Sequence, residues 1–401
     1  MASALSTFND FVDTTGPSFL TSAQDVVNEA CRNNYLLRRF LKGKGPGEVV
    51  QGGTKIKDTM MFDESNSLQY YQPNDTFTWN NPQVLDNWEI DWRFCVDHMA
   101  WTDQEIELNS GGGMSRSARH QQFKALKRSK EQRLWTSILN GMEDALFAIP
   151  DPDLMEGGGA AATRPYSIPT FINECDDNGA YKNDAAGTDF VTVQGISSHS
   201  TSGKGASWGP QQVTYTADSS ASSTIAGGIL DKMDSVWMDC EFTPPPSHQE
   251  YFENPSLNAQ FIACSQRGQQ IYTLLMRQSQ DTFVTSSRQD PAYLRPQYAG
   301  IDLERVVALD TYAGYCSDDG SVAATTELAV TGFQGPRYYF INGNYLKPVF
   351  HSSRYMYTHP TMRHPNQPFT TIVPVDSWTN FVYRSRKRQG ILYPTGALFT
   401  A

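Results

Sequence analysis

The longest unbroken helical pattern in the chain runs from about Ser115 to Ala148, entered through Gly111-Gly112-Gly113 and closed by Pro150. Phe123, Leu126, Leu134, Ile138, Met142 and Ala145 recur on one face, and Trp135 and Leu146 widen it. The first half of the helix is basic: Arg116, Arg119, Lys124, Lys127, Arg128, Lys130 and Arg133 stand against Glu131 alone. This clustering occurs in a chain of 401 residues whose formal net charge is −11. The acidic total argues against a protein that wraps nucleic acid through a basic face, so the local positive charge points to one acidic contact, a nucleic acid or an acidic patch on a second copy. A second basic run, Arg384-Ser385-Arg386-Lys387-Arg388, has the same two readings.

Ahead of the long helix the pattern is different. Residues 1–20 read as an extended polar arm. A capping box at Thr21 and Gln24 then opens a helix carrying Val26, Val27, Ala30, Leu37 and Leu41, stopped by Gly43, Gly45 and Pro46. From 47 to 109 the period becomes two. Strand-like runs fall at Thr54–Met61 and Gln69–Trp79, with a turn at Pro73-Asn74-Asp75. Trp88–Asp97 places large apolar residues at 88, 90, 92, 94 and 96, a strand with one covered face. A long two-stranded excursion is marginal on its own and is expected to rest on a neighbour.

Residues 151–225 are loop-heavy, and the stretch 177–225 reads either as an exposed insertion or as part of the body. Beyond it come a helix at about 225–239 and a strand at Ala259–Cys264. A helix capped by Ser265 then runs to about Gln278, with Ile271, Leu274 and Leu275 inward. Further strands are expected at Glu304–Leu309, Arg337–Ile341, Phe369–Val375 and Thr379–Tyr383. Helices and strands mix without regular alternation, which predicts an α+β fold. With 39% hydrophobic and 12% aromatic residues the chain is globular rather than disordered.

Phosphate-loop, dinucleotide, nucleophile-elbow and zinc-helix motifs are all missing, so no catalytic, cofactor-binding or metal-binding residue is assigned. Six cysteines show no CxxC spacing and read as free thiols of a reducing cytosol. Asp176-Asp177-Asn178-Gly179 lacks the ligand spacing of a calcium loop, and Asp151 and Asp153 read as a helix-end turn. His359 and His364, five apart between prolines, read as ordinary hydrogen-bonded histidines. The opening residues do not form a signal peptide, and no apolar run is long enough to span a membrane.

The order of these parts resembles that of the HK97-fold family, the major capsid proteins of tailed bacteriophages. Glu48–Ile56 resembles the entry to that family's extended β-hairpin, the E-loop, and Trp88–Leu108 its return strand. The 115–148 helix is similar to the family's spine helix. Phe261–Ser265 with its helix, Tyr298–Leu303 and the close Tyr383–Tyr393 resemble segments of its body. The resemblance implies an N-terminal arm (1–46), an E-loop (47–109), a spine helix (110–150), and the remaining peripheral and axial domains (151–401). It also implies hexamers and pentamers of an icosahedral shell around double-stranded DNA, assembled in a host cytoplasm and residing in the virion. The implied partners are a portal protein, decoration proteins and, since the first helix starts near residue 21, a separate scaffolding protein; no membrane is involved. By role, Val26, Val27, Leu37, Trp79, Trp88 and Trp92 would make inter-subunit contacts. Arg119, Lys127, Arg128, Arg133, Arg386 and Arg388 would face acidic neighbours or DNA. Two other readings remain: an encapsulin-like compartment shell, and a cytosolic hydrolase with a non-local site.

Overall fold

The computed structural model describes residue 34 and residues 48–62, 68–73, 75–76, 85–110, 116–147, 163–172, 192–197, 208–216, 228–240, 260–280, 296–311 and 336–395. The predicted arm helix apart from Asn34, together with Val26, Val27, Leu37, Trp79 and the Asp176 turn, lies outside them. In chain order the elements are β1 (Glu48–Val50), β2 (Lys55–Met61), β3 (Leu85–Asp91), β4 (Arg93–Thr102), α1 (Asp103–Ser110) and α2 (Arg116–Leu146). Next come α3 (Ile168–Phe171), β5 (Thr192–Val193), β6 (Ile196–Ser197), β7 (Gln211–Thr216), α4 (Ile229–Asp239), β8 (Gln260–Cys264) and α5 (Gln266–Gln280). The chain ends with β9 (Gln297–Tyr298), β10 (Ile301–Arg305), α6 (Val307–Thr311), β11 (Tyr338–Asn342), β12 (Leu346–His351), β13 (Tyr357–Thr358), β14 (Met362–His364), β15 (Gln367–Tyr383) and β16 (Gly390–Thr395). The fold is α+β.

Among the described residues, two six-stranded sheets organise the fold. The first is built on β15, which pairs with β12, β13 and β14 along one edge and with β4 along the other; β1 extends it beyond β12. The second has the order β7-β16-β11-β8-β10-β9. Long helix α2 covers the first sheet through Leu126 and Leu134, packed on Met99, Trp101, Val373 and Val375. Helices α4 and α5 cover the second. One cluster joins the sheets, containing Val349, Phe381 and Tyr383 from the first and Phe261, Tyr339 and Ile391 from the second.

Several expectations are met and several are corrected. The 115–148 helix is α2, the Ser265 hydroxyl accepts from Gly268 N at 3.2 Å, and Tyr298–Leu303 forms a hairpin. That hairpin turns at Ala299 and Gly300, both at positive φ (48° and 81°), as a tight two-residue turn requires. Residues 68–73 and 75–76 form no strand, although the Pro73 turn is present, closed by Asp75 N donating to Gln72 O at 3.0 Å. The two strands expected at 369–375 and 379–383 are one 17-residue strand, because Asp376 to Trp378 also pair with β4. The segment expected as a strand to Leu309 ends at Arg305 and turns into α6. In α5 Tyr272 is buried, while Leu274 is exposed.

Trp88–Asp97 is not one strand. It breaks at Trp92, where the buried parity changes: Trp88, Ile90 and Trp92 face inward before the break, Met99 and Trp101 after it, and Phe94 and Val96 are left outward. The expected run to Leu108 also stops early, at Thr102. There a capping box closes on itself: Thr102 Oγ1 accepts from Glu105 N and Glu105 Oε2 accepts from Thr102 N, both at 3.2 Å, and α1 begins. The 177–225 stretch is not wholly an insertion. Val193, Ile196 and Trp208 belong to the core, and β7 is an integral strand parallel to β16.

Candidate assembly surface

The hairpin β2–β3 pairs Lys55 with Asp91 through to Met61 with Leu85. Alternation sends Ile56, Trp88 and Ile90 into the core and leaves charges on the other face. There Lys55 Nζ meets Glu89 Oε1 at 2.5 Å and Lys57 Nζ meets Glu89 Oε2 at 2.9 Å, which holds the Glu89 carboxyl down at about 2 through those two hydrogen bonds. Exposed ion pairs contribute about 0–1 kcal/mol each, whereas each large apolar side chain buried contributes roughly 2–3 kcal/mol. Apolar burial therefore fixes the base of the hairpin, and the charges keep its other face wet.

The expectation that Trp88 and Trp92 are contacts to another subunit is corrected. Both are buried within their own chain, where Trp92 Nε1 also donates to Gly53 O at 3.0 Å and its ring packs edge-on to His351. Large apolar residues are exposed elsewhere. Tyr70 is 94% and Leu68 81% exposed, and Met61, Tyr71 and Leu85 are exposed as well. Runs of strand-former alternation made the tryptophans conspicuous in sequence; nothing local distinguished them from Tyr70.

Basic residues divide sharply. On α2, Lys127 pairs with Glu131 at 3.4 Å, and Arg128 and Arg133 are exposed. Arg119 lies in α2, with its side chain outside the described set. Lys130 turns inward, donating at 2.7 Å both to Glu105 Oε2 and to Ala100 O, and so clamps α1 and β4 to α2. In the second run, Arg384 faces Asp58 of the hairpin at 3.4 Å and Arg388 is half-buried. Arg386 is only 1% exposed: its Nε donates to Phe171 O at 2.8 Å and its guanidinium lies over the Trp208 ring. Arg386 is thus a core residue and cannot meet DNA from this position. Its charge in a sequence run concealed that.

Between the first half of β4 and α2 runs a groove of about 420 Å³, lined by Arg93, Cys95, Ile138, Gly141, Met142 and Val375 among others. Among the described residues it holds no catalytic constellation. A Ser–His contact does occur elsewhere, Ser353 Oγ to His351 Nδ1 at 3.2 Å, but Ser353 N also approaches that nitrogen at 3.3 Å, and the contact belongs to a turn. No carboxylate orients the other ring nitrogen among the described residues. His359 pairs with Asp376 at 3.3 Å, and Arg354 approaches the same carboxylate at 3.6 Å. His364 Nδ1 accepts from Asn366 N at 3.1 Å and braces a turn.

No protein family matches the chain by sequence, and no curated protein matches it. Solved structures are similar along most of its length. The capsid of a native GTA particle shares 9% identity over 94% of this chain and 97% of that one, with a TM-score of 0.49. The capsid of Cyanophage P-SCSP1u shares 10% over 95% and 94%, with a TM-score of 0.45. The Mycobacterium phage Adephagia structure shares 8% over 97% and 98%, with a TM-score of 0.46. At these scores the likeness is one of layout and carries no argument about chemistry.

Proposed function

We propose that this chain is a major capsid protein of the HK97-like kind, a subunit of an icosahedral phage head. The observation that carries this reading is the pair β2–β3 and the chain between its strands: the pair is anchored in the core at Ile56, Trp88 and Ile90, while Leu68, Tyr70 and Tyr71 stand exposed. Large exposed apolar residues mark an association surface, and the order of hairpin, long helix and mixed α+β body is the one the family resemblance leads one to expect. Exposed Arg128 and Arg133 supply positive charge for an acidic neighbour or packaged double-stranded DNA. In this reading copies form hexamers and pentamers, with scaffolding, portal and decoration proteins as partners. Among the described residues no helix is long and apolar enough to cross a membrane.

Electron microscopy of the purified chain, alone and co-expressed with its scaffolding protein, tests the proposal. Closed shells of uniform diameter containing nuclease-protected DNA are expected. A chain that sediments as a monomer at every concentration, with the scaffolding protein present, overturns it.

A further inference from the structure

Strand β4 is an edge strand: it pairs with β15 on one side and with no strand on the other among the described residues. Its outward backbone groups are those of the even-numbered residues. His98 N donates to Asp97 Oδ1 at 2.7 Å, Ala100 O accepts from Lys130 Nζ at 2.7 Å, and Thr102 N donates to Glu105 Oε2 at 3.2 Å. Side chains therefore close this edge from 98 to 102, as natural sheets close edges against other chains. The ladder to β15 is regular from Arg93 to Thr102, so the same alternation turns the backbone of Phe94 and Val96 outward. Neither has a hydrogen-bond partner there among the described residues, and their side chains are 61% and 72% exposed. The edge is closed along one half and open along the other.

We infer that the open half of β4 pairs antiparallel with the same segment of a second copy, about a two-fold axis through Cys95. The sequence Arg93-Phe94-Cys95-Val96-Asp97 is self-complementary in that register. Arg93 stands opposite Asp97 of the second copy and Phe94 opposite its Val96, an opposite-charge pair and an aromatic–β-branched pair, both favoured across strands. Phe94 and Val96 exchange both backbone hydrogen bonds, and Cys95 meets its own counterpart in the closer, non-hydrogen-bonded position. Behind the edge, the groove beside Gly141 and Ala145 of α2 leaves room for the side chains the added strand points inward. The inference rests on the shell reading and adds a named two-fold contact between copies.

Cross-linking tests it. Diamide takes up the two protons and two electrons that a thiol pair releases, and adjacent Cys95 thiols lie within disulfide reach in this register. A disulfide-linked dimer of the full chain is expected, and Cys95→Ser should abolish it. Val96→Pro removes only an outward N–H, which edge strands tolerate, so Tm should hold while the dimer forms about tenfold more slowly. Val96→Lys is a second variant with the same expectation and no proline. Variants that cross-link at the wild-type rate overturn the inference, as does an assembled wild-type chain without a Cys95-dependent dimer. In both cases the shell reading stands; a wild-type chain that stays monomeric overturns both.

Discussion

Arg386 shows how a single side chain decides between two readings of one sequence run. An arginine in a basic cluster is ordinarily solvated, yet here Phe171 O, the Trp208 ring and the neighbouring Tyr383 surround it. Burial pushes the Tyr383 hydroxyl well up, and the guanidinium opposes that rise. Replacing Arg386 by alanine should leave a cavity and strip the Phe171 carbonyl of its donor, at a cost of about 3 kcal/mol. A matching fall in the urea midpoint with an unchanged slope is the expected measurement; an unchanged midpoint would show that the residue is dispensable to the core. The charge was legible in the sequence, but its burial was not, because the partner groups come from residues 171 and 208.

At the scale of elements, the hairpin is held by apolar contacts and tuned by charge. Glu89 titrates at about 2 when folded, below its ordinary 4.5, because Lys55 and Lys57 donate to the carboxylate. A depressed carboxyl contributes stability above its unfolded value and loses it as pH falls through the folded one. The hairpin should therefore loosen slightly between about pH 4.5 and 2, an effect kept small by solvent screening of these exposed pairs. Tryptophan emission from Trp88 should follow that loosening, and Glu89→Gln should flatten the curve across the window. The hairpin and the long helix were both readable, since periods of two and 3.6 are local properties. Helix α1 was missed even though Thr102-Asp103-Gln104-Glu105 spells a capping box, because apolar alternation had already assigned those residues to a strand. The break at Trp92 was invisible for another reason. Phe94 and Val96 keep the apolar alternation while the surface they face changes from core to solvent.

For the whole molecule, the shared cluster joining Val349 and Phe381 of one sheet to Phe261 and Tyr339 of the other has a thermodynamic consequence. A single core that both sheets complete should unfold as one unit. Urea transitions followed by tryptophan fluorescence and by far-ultraviolet circular dichroism should coincide; two separated midpoints would mean that the sheets are independent bodies. The α+β class was legible in the sequence, but the sheet order was not, since strand partners are chosen across hundreds of residues.

Strand β15 makes that distance concrete. Cys95 and Ser377, bonded across the β4–β15 ladder, are 282 residues apart. On a ribosome adding roughly 5–20 residues per second, β4 waits about a quarter of a minute to a minute for the strand that completes its sheet. Until then β4, α1 and the face of α2 that they cover have no sheet to join. The nascent chain therefore carries those apolar faces uncovered until the last strand arrives.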